Sequence, residues 1–411
     1  MTSQSTQPTQ GMIAEIQRRS HETWDAFCED LKRAGNQLIR DDLPLDELDA
    51  AEGLRYLSRL VRTGLERHVE GADPADAYLY SLCDERIKGF GGDNPDTRYF
   101  GASISSDYAY RLSGDFRSCS YFTLMTTGFD EQRAYRITGS LDGNAMPESR
   151  KGPIEITIRG GDGDARGDER SVGQGTASHT LSTTRDTRSL LVRCTFDDSV
   201  AKTKLRLALS RTDASGGPVQ CAFEPISKGL LETAKFVRST AETWASQSVA
   251  LRKNFNQLPL QDPERIRKMG GDPNIFYYSA AWSVAEDEFL VIHIPTIPEC
   301  TTWGLQINNL WTESLDYTQA PIHLNKTSAH YDTDGGVTII VSERDPGRPN
   351  WLRTLGHRTG TANFRLMGAK EPVVAEVKVV ASAELIKKAL FSSQEDQALS
   401  GGRTLHRAIV V

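Results

Sequence analysis

The chain has 411 residues, a formal net charge of -7, and 38% hydrophobic and 25% charged residues. This length predicts two or three domains, and the acidic balance argues against a nucleic-acid-binding protein, whose surface would be basic. No continuous apolar stretch is long enough to span a bilayer, and the polar N-terminus lacks the basic-then-apolar order of a secretory signal. We therefore expect a cytoplasmic protein without nucleic-acid or membrane partners.

Cysteine and histidine usage predicts no metal site and no cofactor. The six cysteines are scattered without a C-x-x-C pair, and the eight histidines are equally dispersed. Scattered cysteines in a long chain of this kind are typical of reduced, mostly buried thiols. Motifs for zinc, for nucleotide phosphates and for dinucleotides do not occur in the sequence.

The first 88 residues divide into a lead-in and a helical region. Residues 1–12 are polar and are expected to be disordered, whereas residues 13–88 are helical in character. Apolar side chains recur close to helical spacing in the second half of this region. They are Leu48, Leu54, Leu57, Val61 and Leu65. We expect this stripe to be buried against a neighbouring layer.

Residues 89–224 predict a first β-sandwich. From "GGDNPDTRYF" onward, short alternating segments are separated by clusters of Gly, Asn, Pro and Asp. Period-two runs of this length indicate antiparallel strands that pack as two sheets. Within them, residues 160–176 are expected to form a flexible polar loop.

Residues 225–272 return to a helical pattern that is expected to link two β domains. One apolar face is formed by Leu230, Leu231, Ala234, Val237, Ala241 and Trp244. Alternating segments resume in residues 273–393, which predict a second β-sandwich, and residues 394–411 are expected to be a flexible tail. The predicted fold class is α+β, mainly β. It has two antiparallel, jelly-roll-like β-sandwiches, an N-terminal helical layer and a long linking helix.

The two β regions share an order of elements. Each has a strand, a short connection, a cysteine and an aromatic-rich strand, which matches Cys119 with Cys300. Each continues with a hairpin turn, an apolar strand, a charged loop and a return strand. This order predicts two sandwiches of similar topology.

A loop at residues 342–360 concentrates unusual residues in the second β region. It contains Arg344, Arg348, Arg353 and Arg358. Guanidinium groups repel one another unless carboxylates or an anionic ligand compensate their charge, and arginine suits bidentate capture of carboxylate or phosphate. The loop is therefore a candidate site for an anionic or hydroxyl-rich small molecule.

A structural interpretation of the same loop stays open. Asp345 before Pro346 and Gly347 is typical of a tight turn. Carboxylates of the preceding segment would then pair with Arg344 or Arg353, which would solve the repulsion without a ligand.

Three residues are candidates for acid–base chemistry. Glu313 and Asp316 are three residues apart, and two nearby carboxylates divide acid and base roles in some enzymes. His357 follows Gly356 in the loop and is the best general acid or base of this region. Both carboxylates are equally suited to neutralising the loop arginines.

Four aromatic residues complete the predicted site: Trp303, Trp311, Tyr317 and Trp351. If exposed, these rings would stack on sugars or flat ligands; if buried, they would fill the sandwich. A pair of exposed, coplanar rings would favour a carbohydrate-binding module.

Residues 275–385 resemble the bacterial family catalogued as domain of unknown function 1214. The resemblance rests on Trp303, the segment Glu313 to Tyr317, the segment Arg344 to Gly347, the segment Pro349 to Leu352, and Gly356 with His357. The family resemblance implies a jelly-roll-like β-sandwich, and it implies no known reaction.

The leading functional hypothesis is a protein that binds a small organic metabolite with an anionic or hydroxyl-rich portion. If it is an enzyme, we expect a cofactor-independent lyase, isomerase or hydrolase, in which His357 and Glu313 or Asp316 exchange protons while arginines hold the anion. The alternatives are a non-catalytic carbohydrate-binding module and a structural protein. Its expected partner is a small molecule, and a homo-oligomer is compatible with the sequence.

Overall fold

The computed structural model describes residues 9–43, 45–85, 88–132, 134–160, 178–213 and 221–381. The predicted tail and most of the predicted loop at residues 160–176 lie outside these ranges. The described helices are α1 (Gln10–Asn36), α2 (Glu47–Leu65), α3 (Phe223–Leu251) and α4 (Pro263–Lys268). A π-helical turn, Glu66–Glu70, extends α2, and short 3-10 turns occupy Pro74–Asp76, Gly143–Ala145, Pro147–Arg150 and Ser199–Lys204.

The strands fall into two groups on either side of α3. The first group is β1 (Tyr80–Cys83), β2 (Thr97–Ser103), β3 (Tyr110–Asp115), β4 (Tyr121–Phe129), β5 (Tyr135–Asp142), β6 (Ile154–Gly160), β7 (Ser178–Thr183), β8 (Thr187–Thr195) and β9 (Arg206–Arg211). The second group is β10 (Ile275–Ser283), β11 (Glu288–Ile294), β12 (Thr302–Asn308), β13 (His323–Asn325), β14 (Val337–Ser342), β15 (Trp351–Arg353), β16 (Thr359–Met367) and β17 (Glu376–Ala381).

The two groups form sandwiches with the same topology. The first sandwich has sheets β1-β2-β8-β4-β5 and β7-β6-β3-β9, and the second has sheets β10-β16-β12-β13 and β15-β14-β11-β17. Strands β10 to β17 therefore occupy, in the same order, the places that β2 to β9 occupy in the first sandwich. The first sandwich has one additional edge strand, β1. The prediction of two similar sandwiches is confirmed. Strand pairing is antiparallel except for one parallel pair in each sandwich, β6 with β7 and β14 with β15.

Each sandwich has its own apolar core between its sheets. Buried residues of the first core include Tyr110, Phe122 and Val192, and those of the second include Trp282, Ile339 and Phe364. A third core joins the helices to the second sandwich, because side chains of α1, α2 and α3 pack around Leu310 and Trp311. The mainly β fold with an N-terminal helical layer and a long linking helix is confirmed.

Several predicted boundaries are wrong by short distances. Helix α1 begins at Gln10, inside the expected lead-in, because Thr9 caps it by accepting from the Met12 N–H. The expected helical region ends before β1, which pairs with β2. The linking helix stops at Leu251, and α4 is a separate short helix that Asp262 caps.

The predicted apolar stripe of α2 describes its buried face only in part: Leu57 and Val61 are partly buried against the third core. Leu48 and Leu54 are exposed, whereas Gly53, Tyr56 and Leu60 are buried. The helix turns this face to its neighbours because Gly53 lets the Trp311 ring approach closely: a Cβ atom there would lie 2.8 Å from Cζ2 of that ring. Asp46 and Asp49 start the helix with a capping box.

No described helix combines the length and apolar character needed to cross a membrane. All six cysteines are free, and Cys119 and Cys194 are buried in the first sandwich.

Strand equivalence also supports the match of Cys119 with Cys300. Thr123 of β4 lies opposite Arg193 of β8, and Gly304 of the equivalent strand β12 lies opposite Arg365 of β16. Cys119 precedes Thr123 by the same number of residues as Cys300 precedes Gly304.

Candidate functional site

The arginines of the loop at residues 342–360 do not converge. Arg344 and Arg348 are exposed, and neither pairs with a carboxylate among the described residues. Arg353 binds Glu343 at 2.7 Å. Arg358 lies 3.6 Å from Glu286, and both of those side chains are largely exposed. The prediction of one arginine cluster around a ligand is therefore wrong, because the side chains spread along the surface.

Turn chemistry accounts for the rest of this loop. The Asp345 carboxylate accepts the Gly347 N–H at 2.7 Å, and Gly347 has a positive φ of 65°. Asn350 is buried, and its side chain bonds both backbone groups of His330 and the Thr338 carbonyl. These contacts favour the structural interpretation of the loop.

His357 ties the loop to α2. Its side chain is buried, with Nε2 3.0 Å from the Glu52 carboxylate and Nδ1 2.8 Å from the Thr354 carbonyl oxygen. Burial lowers the pKa of His357, but the Glu52 carboxylate and the Thr354 carbonyl outweigh it, so the pKa is raised above its usual value. The imidazolium form therefore donates from both ring nitrogens, which is the role of a structural link.

Glu313 and Asp316 have different environments. Glu313 is 1% exposed and accepts from Arg59 of α2 at 2.7 Å. Burial raises the pKa of Glu313 to about 7, although the Arg59 charge opposes the shift. Asp316 accepts from Thr318 and Gln319 in its own turn. The expected pairing of these carboxylates with loop arginines is wrong, because α2 supplies the cation for Glu313.

The predicted aromatic platforms are mostly core residues. Trp303 and Trp311 are 1% and 0% exposed, and their indole N–H groups donate to Tyr331 and to the Asp49 carbonyl. Trp351 is half-buried and donates to the Ser342 carbonyl. The half-buried Tyr317 ring lies 3.6 Å from the Nζ atom of the buried Lys88. Trp303 and Trp311 cannot present a face to a sugar, so that prediction is wrong.

A cavity of about 490 Å³ lies elsewhere, at the junction of the two sandwiches and the helices. Cavities of roughly 300–1,000 Å³ are typical of small-molecule sites, which favour domain junctions. One wall is formed by β2, β4 and β8 of the first sandwich, and another by β10 and β16 of the second. Helix α3 covers them with Phe236, Thr240, Trp244 and Gln247.

Two arginines cross this junction in opposite directions. Arg193 of β8 donates from Nη2 to the Gly270 carbonyl ahead of the second sandwich, at 2.6 Å. Arg365 of β16 donates from Nη2 to the Gly92 carbonyl ahead of the first sandwich. The Nη1 atoms also have equivalent partners, Met125 of β4 and Gln306 of β12. The strand equivalence thus extends to individual side chains.

A tyrosine accompanies each arginine. Tyr99 pairs opposite Arg193 across β2 and β8, and Tyr277 pairs opposite Arg365 across β10 and β16. The Tyr99 hydroxyl accepts the Asn94 N–H at 3.1 Å, and the Tyr277 hydroxyl accepts the Asp272 N–H at 3.0 Å. Each hydroxyl hydrogen is therefore free to donate elsewhere.

The lining carries an excess of positive charge. Arg67, Arg193 and Arg365 all face the cavity, and none lies within ion-pair distance of a carboxylate in the part of the chain that the structure describes. Asp93 is the acidic residue of the described lining, and its two oxygens accept from the Ser314 backbone and hydroxyl, each at 2.8 Å. Arg365 is buried and Arg67 and Arg193 are half-buried, and cations removed from water without a carboxylate partner are unusual in proteins.

The hydroxyls of Tyr99 and Tyr277 and the Cys83 thiol, which line the cavity, remain protonated at neutral pH. Burial raises the pKa of Tyr99 to about 12, although Arg365 opposes the shift. Burial also raises the pKa of Tyr277 and, well above its usual value, that of the Cys83 thiol. The cavity therefore presents hydrogen-bond donors and guanidinium charges, which suits an anion.

The sequence contains a signal for this site: a Gly-Gly-Asp triplet precedes the tyrosine that accompanies each arginine. Residues 91–100 read "GGDNPDTRYF" and residues 270–279 read "GGDPNIFYYS", each with a tyrosine several residues after Gly-Gly-Asp. Gly92 and Gly270 lie seven residues before Tyr99 and Tyr277, and both glycines have positive φ values, 75° and 85°. Relative to the tyrosines, the two Gly-Gly-Asp triplets are offset by one residue, so the shared feature is a glycine of positive φ at the same spacing before each tyrosine. Among the described residues, no histidine, cysteine and carboxylate cluster could hold a metal ion.

No protein-family model and no curated protein matches the chain. A solved structure does: an uncharacterized protein from Burkholderia cenocepacia is 39% identical, with a TM-score of 0.81, and the match covers 89% of this chain and 98% of that one. The chain belongs to the same family as that protein. A Vibrio parahaemolyticus protein matches with 12% identity and a TM-score of 0.47 over 85% of this chain and 100% of its own. Membership of the domain of unknown function 1214 family stays a prediction.

Proposed function

We propose that this protein binds a small organic anion in the cavity between its two sandwiches. The observation that carries the proposal is the group of lining arginines, Arg67, Arg193 and Arg365, without carboxylate partners among the described residues. Arg365 is only 7% exposed, so water compensates little of its charge. A bound carboxylate or phosphate would supply the missing charge and accept from the adjacent tyrosine hydroxyls.

The geometry favours binding over proton transfer. His357 and Glu313, the residues that we expected to exchange protons, contact α2 and do not line the cavity. The carboxylate of Asp93 is held by Ser314, and the described lining includes no histidine. We therefore propose a cofactor-independent binding protein, cytoplasmic and built from jelly-roll-like sandwiches, as the sequence predicted.

A thermal-shift panel tests the proposal. Wild type, Arg365→Gln and Arg67→Gln would be melted with 10 mM of mono- and dicarboxylates, sugar phosphates and uncharged polyols, where 10 mM is about 100 times a Kd of order 0.1 mM. Arg353→Gln is the matched control, since it removes an arginine that binds Glu343 on the surface. We expect at least one anion to raise the Tm of wild type and of the control by several degrees, and to shift the cavity variants much less.

Two outcomes contradict the proposal. One is that no anion raises the Tm of wild type, or that uncharged polyols raise it as much. The other is that an anion stabilises Arg365→Gln and Arg67→Gln as well as wild type. Arg67→Gln keeps the test decisive if Arg365→Gln does not fold, because Arg67 is half-buried and bonds only Ser189 among the described side chains.

A further inference from the structure

The two halves of the cavity repeat the same set of donors. The first sandwich contributes Tyr99 and Arg193, and the second contributes Tyr277 and Arg365, at equivalent strand positions. Each arginine is fixed by a glycine carbonyl of the opposite half. Two copies of one recognition unit therefore face a single space.

We propose that the ligand carries two anionic groups, one held by each tyrosine–arginine pair. This inference rests on the proposed anion-binding function and specifies its ligand class. The occupant is an organic dicarboxylate whose two carboxylates are separated by a spacer, so that each one reaches its own pair.

Charge balance supports two anionic groups rather than one. Burial raises the pKa of both tyrosines, and the charges of Arg193 and Arg365 each act against that shift at Tyr99 and at Tyr277. Both guanidiniums are thus close enough to influence both hydroxyls. Arg193 and Arg365 repel each other in this partly buried space, and two anionic groups would balance both charges.

The remaining lining indicates the nature of the spacer. Phe90, Phe236 and Trp244 bring aromatic rings to the cavity, and Gly91 lies directly against the Trp244 indole. Small-molecule sites are typically lined by apolar and aromatic side chains, with a few polar groups that fix the orientation of the ligand. An aliphatic chain or an aromatic ring between the carboxylates would bury its surface against these side chains.

Calorimetric titration with matched pairs of probes tests this inference. Benzene-1,4-dicarboxylate would be compared with benzoate, hexanedioate with hexanoate, and inorganic phosphate would serve as a dianion with its charge on one group. We expect wild type to bind at least one dicarboxylate at least tenfold more tightly than its monocarboxylate partner and than phosphate.

Substitutions in each tyrosine–arginine pair test whether that pair binds one end of the ligand. In Arg193→Gln and in Arg365→Gln, we expect the dicarboxylate to bind at least tenfold more weakly than in wild type, with little remaining preference over the monocarboxylate. Tyr99→Phe and Tyr277→Phe provide a second matched pair that keeps both charges and removes from each turn the hydroxyl that accepts the Asn94 or Asp272 N–H. We expect them to weaken dicarboxylate binding by similar factors, several-fold each.

The outcomes separate this inference from the proposed function. If monocarboxylates or phosphate bind as tightly as dicarboxylates and Arg365→Gln abolishes binding, the cavity is an anion site but the two-ended ligand is wrong. If only one tyrosine–arginine pair affects dicarboxylate binding, the inference is also wrong. If no probe binds and the thermal-shift panel gives no anion either, the proposed function itself fails.

Discussion

At the scale of single residues, Glu313 is a carboxyl group whose ionisation opposes folding. Its side chain is 1% exposed, and burial raises its pKa to about 7 despite the Arg59 guanidinium. A folded-state pKa above the unfolded value of about 4.3 gives a contribution to stability that is present at low pH and lost as the pH rises through about 7.

Glu313→Gln should flatten this dependence. Between pH 5 and pH 8, we expect the free energy of unfolding of wild type to fall relative to that of the variant by an amount on the order of 3 kcal/mol. Urea unfolding at several pH values measures it. Glu343→Gln is the control: Arg353, Thr354 and the Gly356 N–H lower the pKa of Glu343 although burial opposes them, so its titration lies below this range. Equal slopes in wild type and Glu313→Gln would contradict the prediction.

The bond between His357 and Glu52 should stabilise the protein most at low pH. Although burial lowers it, the pKa of His357 is raised overall by Glu52, so this contribution is complete below the unfolded pKa and lost as the pH rises through the folded one. We expect Glu52→Gln to cost about 1–3 kcal/mol at pH 6 and clearly less at pH 9.

Glu286→Gln is the matched control for that measurement. It removes the carboxylate of an exposed pair with Arg358, which should change the free energy of unfolding by less than about 0.5 kcal/mol at either pH. Urea unfolding of both variants gives the comparison. A cost for Glu52→Gln that does not depend on pH would show that the imidazolium is not the stabilised form.

At the scale of elements, α2 depends on a close approach that helix propensity opposes. A Cβ atom at Gly53 would lie 2.8 Å from the Trp311 ring, whereas one at Gly35 of α1 would lie 3.9 Å from its nearest neighbour, Leu57. Alanine favours a helix over glycine by about 1 kcal/mol, but overpacking costs about 1–3 kcal/mol.

Gly53→Ala should therefore destabilise the protein, and Gly35→Ala should leave it unchanged or stabilise it by up to about 1 kcal/mol. Thermal unfolding of the two variants measures the difference. If Gly53→Ala raised the Tm as much as Gly35→Ala, the tight packing of α2 on Trp311 would be incorrect.

The strands and their repeated order along the chain could be predicted from the sequence, whereas the buried face of α2 could be predicted only in part. Alternating segments such as "LVIHIP" indicate strands wherever one face is buried, because the period of two is local. The face of α2 is set by a ring from residue 311, far along the chain, and hydrophobicity gives Gly53 no weight. Hydrophobicity therefore favours Leu54 over Gly53 as a core residue, whereas Leu54 is exposed.

The same difference between local patterns and long-range contacts explains why the sequence did not predict the junction cavity as the site. The motifs around Glu313 and His357 predict a site because they are dense in polar and aromatic residues, yet Glu313 and His357 join α2 to the second sandwich. Arg193 and Arg365 stand singly in ordinary strands, and they meet only because two sandwiches of equal topology face each other. No local pattern encodes that arrangement, although the repeated Gly-Gly-Asp turns mark its two ends.

At the scale of the whole molecule, substituting a glycine whose carbonyl accepts from Arg193 or Arg365 should affect both stability and anion binding. Gly92 has a φ of 75°, and a Cβ atom there would lie 2.5 Å from Asn363 Oδ1, whereas Gly335 has a φ of 87° and open space around it. Because φ is positive at both positions, replacing either glycine by a residue with a side chain should lower the free energy of unfolding by about 1–2 kcal/mol.

Gly92→Ala should consequently cost more than Gly335→Ala, by about 1–3 kcal/mol, because it also crowds the junction. It should weaken anion binding as well, since it displaces the groups that hold Arg365. Denaturant unfolding and titration with the best anion measure the two effects. Equal losses of stability, with unchanged binding, would mean that the junction tolerates the added methyl group.

The most direct test of this account is a crystal structure of the protein grown with benzene-1,4-dicarboxylate. We expect the ligand in the junction cavity, with one carboxylate at Tyr99 and Arg193, the other at Tyr277 and Arg365, and its ring beside Trp244. Density for the ligand at the exposed arginines of residues 342–360, with none between Arg193 and Arg365, would contradict it.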